Sequence, residues 1–365
     1  LSFFDSSRHP QRLGRNRLGW VLIIVAVVIA IVIALMPAPY VINQPGPAYD
    51  TLGTVTVDNE TLPMISIPDE ETFATDGQLN LLTVRQSGTP QNLPSWSEVL
   101  VGWLSDSRAV IPIGEAYPEG TTTDQLEEAG RIQMENSQQA AIAAALTELD
   151  YDVTSTFSVA LIMPESPAQG VLQEGDQLTT INGEPITSIE FLREQLDING
   201  TDTAADVGII RDGEELVEEI VPYETEEGAV VLGIEVASAY VFPITVQIQL
   251  QNVGGPSAGL MFSLGIVDKL TEGPLTAGEV WAGTGTIAED GTVGPIGGIR
   301  QKLFGAERAG ADWFLAPAEN CDEVVGHIPS GLTVFAVETL EDSLTAISRV
   351  SEGVSTDNLP SCDAE

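Results

Sequence analysis

The pattern of apolar and polar positions divides the chain into unequal parts. The first is a run with no polar interruption, Trp20 to Met36, reading WVLIIVAVVIAIVIALM. With Leu18 and Gly19 it approaches the ~20 residues that cross a bilayer, and Pro37 and Pro39 end it. A helix apolar on every side predicts a transmembrane span over 18–36 rather than a core helix with one wet face. A cleaved signal peptide would carry a shorter apolar core of ~7–15 residues and a small-x-small cleavage site, and LMPAP is a poor one. Arg8, Arg12, Arg15 and Arg17 precede the run with only Asp5 against them. The excess of positive charge makes 1–17 a cytoplasmic basic tail and places everything after Met36 outside the cytoplasm, in a single-pass cell-membrane protein.

Beyond Pro39 the pattern changes to short periodic segments. Over 40–149, YVINQPGPAYDT and LNLLTVRQSG read as strands and SWSEVLVGWLS as a short helix. TDQLEEAGRIQMENSQQAAIAAALTELD reads as a long helix, with Thr123 as candidate cap and Leu126, Ile132, Ala140, Ala144 and Leu146 among its apolar positions. This extracytoplasmic region shows no chemistry of its own and is expected to pack with the two regions C-terminal to it. Over 150–225, EGDQLTTINGEPI alternates as two strands about an Asn182-Gly183 hairpin turn. Thr187 or Ser188 then caps a helix with Ile189, Leu192 and Leu196 on one face. Over 228–350, strands such as AVVLGIEVASAY and VWAGTGTI alternate with helices such as PSAGLMFSLGIVDKL, an α/β layer pattern. Residues 351–365 read as a loose tail. The fold class expected is α/β and α+β multidomain, behind an N-terminal transmembrane helix.

Composition narrows the partners. Hydrophobic residues are 43% and charged residues 19%, so packed cores can form. Fifty-four acids against 14 bases give a net charge of −40, which argues against nucleic acid. Cys321, Cys362, His9 and His327 are the whole supply of cysteine and histidine, too few for a metal cluster, so neither metal nor cofactor is expected. Outside the cytoplasm Cys321 and Cys362 either pair, pinning the C-terminal tail, or remain two free thiols.

The chemistry lies in two short stretches. In GGIRQKLFGAERAGA, Gly297 to Ala311, a helical wheel puts Ile299, Leu303, Ala306 and Ala309 on one side. Arg300, Gln301, Glu307 and Arg308 fall on the other, and Phe304 is the apolar residue out of place. Lys302 lies inside the apolar arc. Read blandly, it extends its ammonium to solvent. Read chemically, it is desolvated until it loses its proton. Lowering a lysine from ~10.4 by ~3 units corresponds to ~4 kcal/mol of differential stabilisation. The second stretch, NVGGPSAGLMFSLGI, sets Ser257 between a turn and an apolar helix. Serine there is ordinarily a cap. Gly254 and Gly255, however, allow a tight turn and a close ligand, and free N–H groups at a helix start can hold a developing oxyanion. A serine needs a base, and a neutral lysine can replace histidine in that role.

Two resemblances build on these residues. Ser166-Pro167-Ala168, Leu172, Gly175-Asp176, Leu178, Ile181-Asn182-Gly183 and the helix after them resemble a PDZ domain. That implies binding of an extended peptide, often a C-terminus, by strand addition, with the carboxylate-binding loop expected just before FSVALI. Gly255-Pro256-Ser257-Ala258-Gly259 and Gly297-Gly298-Ile299-Arg300-Gln301-Lys302, with AGTGTI and GTVGPIGG between them, resemble the paired motifs of Lon-type serine peptidases. With the PDZ-like part and the anchor, the chain resembles the membrane-bound Lon-like PDZ-containing peptidases.

The resemblance implies a Ser-Lys dyad. Ser257 is then the nucleophile and Lys302 the base, Thr284 holds the lysine, and Gly255 and Pro256 support the turn. GxxxxGK[ST] is absent, so the implied enzyme is an ATP-independent endopeptidase acting on unfolded or flexible extracytoplasmic proteins. By analogy alone the resemblance also suggests a homo-oligomer. A rival reading is a non-catalytic PDZ receptor or scaffold with a peptidase-like domain. Another is a different serine hydrolase using His327.

Overall fold

The computed structural model describes residues 13–57, 60–117, 123–164, 166–225, 228–250 and 253–362. The remainder of the expected basic tail, 1–12 with Arg8, His9 and Arg12, lies outside them, as do 363–365. The chain divides into a smaller unit, 1–45 with 84–123, and a larger one, 46–83 with 124–365.

The smaller unit begins with helix α1 (Leu13–Leu35). Among the described residues no helix is long and apolar enough to cross a membrane. The expected span over 18–36 is therefore overturned. So are the membrane location, the cytoplasmic and extracytoplasmic sides and the bilayer contact derived from it. Pro37 prevents the helix from continuing past Met36. Its apolar side chains from Trp20 onward are mostly exposed. Two strands come next, β1 (Tyr40–Asp50) and β2 (Gln78–Ser87), then α2 (Trp96–Trp103) and β3 (Ala109–Pro112). β3 pairs antiparallel with the start of β1, Tyr40 opposite Pro112. Helix α2 starts at a capping box: the Glu98 N–H donates to Ser95 Oγ while the Ser95 N–H donates to Glu98 Oε2. Ala38, Ile42 and Val99 form a small core beside Tyr40 and Trp96.

In the larger unit, α3 (Thr123–Glu148) is exposed in its first turns and buried from Ala141 to Leu146. The next stretch builds a sheet from β4 (Thr154–Ile162), β5 (Gln177–Ile181), β6 (Ala205–Arg211), β7 (Glu214–Ile220) and β8 (Ile234–Val241). Helix α4 (Ile189–Asn199) packs on it. Asn182 and Gly183 both have positive φ (51° and 83°), as the tight hairpin requires. Ser188, not Thr187, caps α4, its Oγ accepting the Phe191 N–H at 2.9 Å. Arg211 locks the sheet to the preceding turn, donating to both Asp176 oxygens (2.7 and 2.6 Å) and to the Val171 carbonyl.

The sheet order β7-β6-β5-β4-β8 corrects two sequence expectations. The 150–225 part does not end at 225. Ile234–Val241 belongs to its sheet, paired with β4 from Ile234 opposite Ile162 to Val241 opposite Thr154. Alternation identifies a strand but not its partner, so the sequence placed this one in the third region. And β4, the FSVALI strand, has a neighbour on each side. The edge strands of this order are β7 and β8, and β8 is the one beside β4.

The third region completes a second sheet and its covering helices. Helix α5 (Gly259–Leu270) is buried from Gly259 to Asp268. Then come β9 (Val280–Gly283), the short pair β10 (Thr286–Ile287) and β11 (Val293–Gly294), α6 (Ile299–Ala309), β12 (Trp313–Pro317), β13 (Thr333–Val337) and α7 (Leu340–Ser351). β9 runs parallel to β2 and β12, and β12 parallel to β13, the arrangement expected of strands joined through helices. Trp281, Leu79, Leu81 and Phe262 lie at the centre of the core. The tail is held rather than loose: the Ala336 N–H donates to the Pro360 carbonyl at 3.0 Å, and Cys362, 2% exposed, is disulfide-bonded to Cys321.

Candidate active site

Ser257 sits one residue ahead of the cap of α5. That cap is Ala258, with no side-chain cap bond, so the serine hydroxyl is not used to terminate the helix. The turn before it depends on Gly255, whose φ of +88° disfavours any other residue. Helix α3 holds this turn from outside. The Gly255 N–H donates to the Gly130 carbonyl at 2.9 Å, and Ser137 Oγ donates to the Pro256 carbonyl at 2.8 Å. A Cβ on Gly254 would come within 3.2 Å of the Gly130 backbone, whereas one on Gly130 would meet Gly254 only in ordinary contact at 3.5 Å, so it is Gly254 that must be bare for the helix to approach.

The sequence reading found no chemistry in α3 and missed both residues. Its one local signal is a glycine in a helix interior, which costs ~1 kcal/mol against alanine and calls for a packing reason. Ser257 is then fixed from inside. Its carbonyl accepts the Gly285 N–H at 3.0 Å and the Thr284 hydroxyl at 2.8 Å.

Lys302 lies on α6, which is bounded by Gly298 and Gly310, both left-handed (φ 73° and 76°). It is 2% exposed, beside Ile299, Leu303 and Ala306 at 0%. Its Nζ lies 2.6 Å from Ser257 Oγ and 2.8 Å from Thr284 Oγ1. Burial pushes its pKa down to about 7, because the ammonium loses its hydration. Among the described residues it has no carboxylate partner. Thr284, fully buried, gives its hydroxyl hydrogen to the Ser257 carbonyl and so faces Lys302 only as an acceptor. The amine therefore points an N–H at threonine and is left with a lone pair for the serine hydroxyl.

The structure thus brings Ser257, Lys302, Thr284, Gly255 and Pro256 together and leaves the others apart. Gln301, on the polar arc of the wheel, is buried, with an Nε2 that has no partner. His327 comes after a short helix, Cys321–Val324, and is tied through its backbone to the Val324 carbonyl, with no bond to Ser257. Among the described residues no group of acids, histidines or cysteines is arranged for a metal ion.

A separate cleft of about 330 Å³ is lined by none of the five residues brought together, but by the segment that follows Thr284 and by residues of α3 next to Ser137. Its walls come from α3, from β8, Phe157 of β4 and the first residue of α4, and from β10, β11 and the turn between them.

A serine and a buried amine whose pKa is lowered to about 7, at hydrogen-bond distance, are the pair that a Ser-Lys hydrolytic site requires. Comparison with known proteins shows what the chain is similar to. Residues 251–348 match the Lon protease (S16) C-terminal proteolytic domain, and residues 131–210 match the PDZ domain. Lon protease 1 of Sorangium cellulosum is 38% identical over 99 residues, 26% of this chain and 12% of that protein. Lon protease of Haemophilus influenzae is 36% identical over 104 residues, 27% of this chain and 13% of that protein. Lon protease of Escherichia coli K12 is 37% identical over 94 residues, 25% and 12% of the two chains. The chain therefore spans only about an eighth of the curated relatives it matches. Among solved structures, the PDZ domain of the SdrC-like protein from Listeria innocua is 18% identical, covering 22% of this chain and 91% of that one with a TM-score of 0.21. A stretch similar to the Lon proteolytic domain thus follows one similar to a PDZ domain.

Proposed function

We propose that the protein is an endopeptidase in which Ser257 attacks the peptide carbonyl and Lys302 moves the proton. The observation that carries this reading is the buried Lys302 amine 2.6 Å from Ser257 Oγ. The neutral amine takes the hydroxyl proton as Oγ bonds to the carbonyl carbon. The Ser257 and Ala258 N–H groups at the start of α5 donate to no described residue and are available to the oxyanion. When the C–N bond breaks, the Lys302 ammonium returns the proton to the leaving amine, and an acyl-Ser257 ester remains. Water, deprotonated by the same amine, hydrolyses the ester and restores both groups.

The cycle consumes no nucleotide, so the reading is ATP-independent, and its substrates are unfolded or flexible chains that need no unfolding work. The PDZ part supplies capture. The free edge of β8 is open to strand addition. Just ahead of β8, the N–H groups of Leu232 and Gly233 donate to no described residue, and Ser166 Oγ is buried beside Gly233 without a partner. These groups suit the carboxylate of a C-terminus, and they move the capture loop from the start of β4 to the start of β8.

The test is cleavage of casein by the full chain. Ser257→Ala and Lys302→Ala should each reduce it by at least about 10³-fold. Cleavage by both at the parent rate would leave a peptide-binding scaffold as the better reading.

A further inference from the structure

We infer that the β8 edge and the Ser257–Lys302 pair are two ends of one substrate path, so that an extended chain is cut at a set distance upstream of its own C-terminus. This rests on the function just proposed and adds where along the substrate the cut falls.

Direction is set by the placement of the capture groups. The Leu232 and Gly233 N–H groups lie ahead of the first residue of β8. A chain whose carboxylate reaches them has the rest of its length beside β8. It runs antiparallel, its upstream residues passing Val236 and then Tyr240. The cleft lies on that course. Ile189, Val236 and Tyr240 line it together with Gln139 of α3 and with Thr286 and Thr292 of the β10–β11 segment.

The β10–β11 lining is joined to the dyad. Thr286 continues the Thr284-Gly285 segment that bonds the Ser257 carbonyl twice, and a Cβ on Gly259 would meet Ile287 at 2.7 Å. The α3 lining is joined as well, because Ser137, next to the lining residue Asn136, bonds the Pro256 carbonyl.

Length is set by the strand. An antiparallel ligand matches β8 residue for residue. From Ile234 to Tyr240 it therefore occupies about seven residues at ~3.3 Å each before it leaves the edge. The scissile bond lies at least about seven residues from the carboxyl end, and chains shorter than that cannot bridge the two sites.

The experiment uses unstructured peptides of one repeating sequence, so that every bond is chemically alike, ending in free-acid tails of graded length. Cuts by the full chain are mapped by mass spectrometry. The expected result is a cut that keeps a constant distance from the carboxyl end and moves with each added residue. C-terminal amidation should lower kcat/KM about tenfold or more, the scale of losing a charge-assisted hydrogen-bond pair. Cuts that ignore the position of the terminus, or that amidation does not slow, overturn the inference while leaving the dyad intact. A second arm does not need hydrolysis. With Ser257→Ala, a photoreactive residue placed about seven positions from a free C-terminus should label residues 136–140 or 286–292. Labelling elsewhere, or equal labelling by the amide, overturns it too. Failure of the dyad reading has a different signature, no cleavage of any peptide with the labelling preserved.

Discussion

Thr284 gives its hydroxyl hydrogen to the carbonyl of the residue that attacks and takes an N–H from the residue that removes the proton. It thereby sets which way the lysine lone pair points. The amine itself is governed by burial: at 2% exposure its pKa falls to about 7. Below that pH Lys302 holds a proton and cannot accept another, and above it the base is free. The kcat/KM profile should therefore rise with pH through a midpoint near 7. A midpoint near 10, the range of a solvated lysine, would contradict the buried-base account. Thr284→Val, which keeps the shape and loses the hydroxyl, should lower kcat roughly 10–100-fold, and Thr284→Ser should recover most of it. Steady-state kinetics of the two variants checks this.

Helix α3 shows how an element without reactive groups shapes the site. Its Gly130 and Ser137 hold Gly255 and Pro256, the two residues ahead of the serine. Ser137→Ala removes one bond and should cost about 1 kcal/mol, read as a kcat loss of several-fold with little change in KM. Gly254→Val, whose Cβ would press on the Gly130 backbone at 3.2 Å, should be more damaging, with activity falling well before the melting temperature does. Parallel thermal melts and kinetics separate the two effects.

This contact also marks the limit of what the sequence could reveal. Lys302 was legible because a charge inside an apolar arc is a local anomaly, and Ser257 because glycines and a helix start surround it. The α3 buttress spans more than a hundred positions along the chain, and periodicity records only the faces of one element. The same holds for β8, readable as a strand but not as the partner of β4, and for Gln301, polar on the wheel yet buried by neighbours from elsewhere in the fold. The apolar run over 18–36 misled in the opposite sense, since its composition suggested a span that no described helix is long and apolar enough to make.

Across the whole molecule, the Cys321–Cys362 bond closes a loop with a sequence separation of 41. Chain-entropy arguments value such a closure at up to about 4 kcal/mol. It also keeps Pro360 and Ser361 along β13, the last strand of its sheet. The Cys321→Ser, Cys362→Ser double variant should melt several degrees lower. It should also associate with rising concentration, since an uncovered strand edge pairs readily with another chain. Calorimetry and light scattering test the two outcomes separately.

Helix α5 has no face open to water over most of its length, and Ser257 is fastened at its leading end by bonds from three directions. A reactive group mounted so firmly cannot be switched off by swinging away. Control over when this protein cuts must then lie with admission, that is, with which polypeptides reach the serine and for how long they stay.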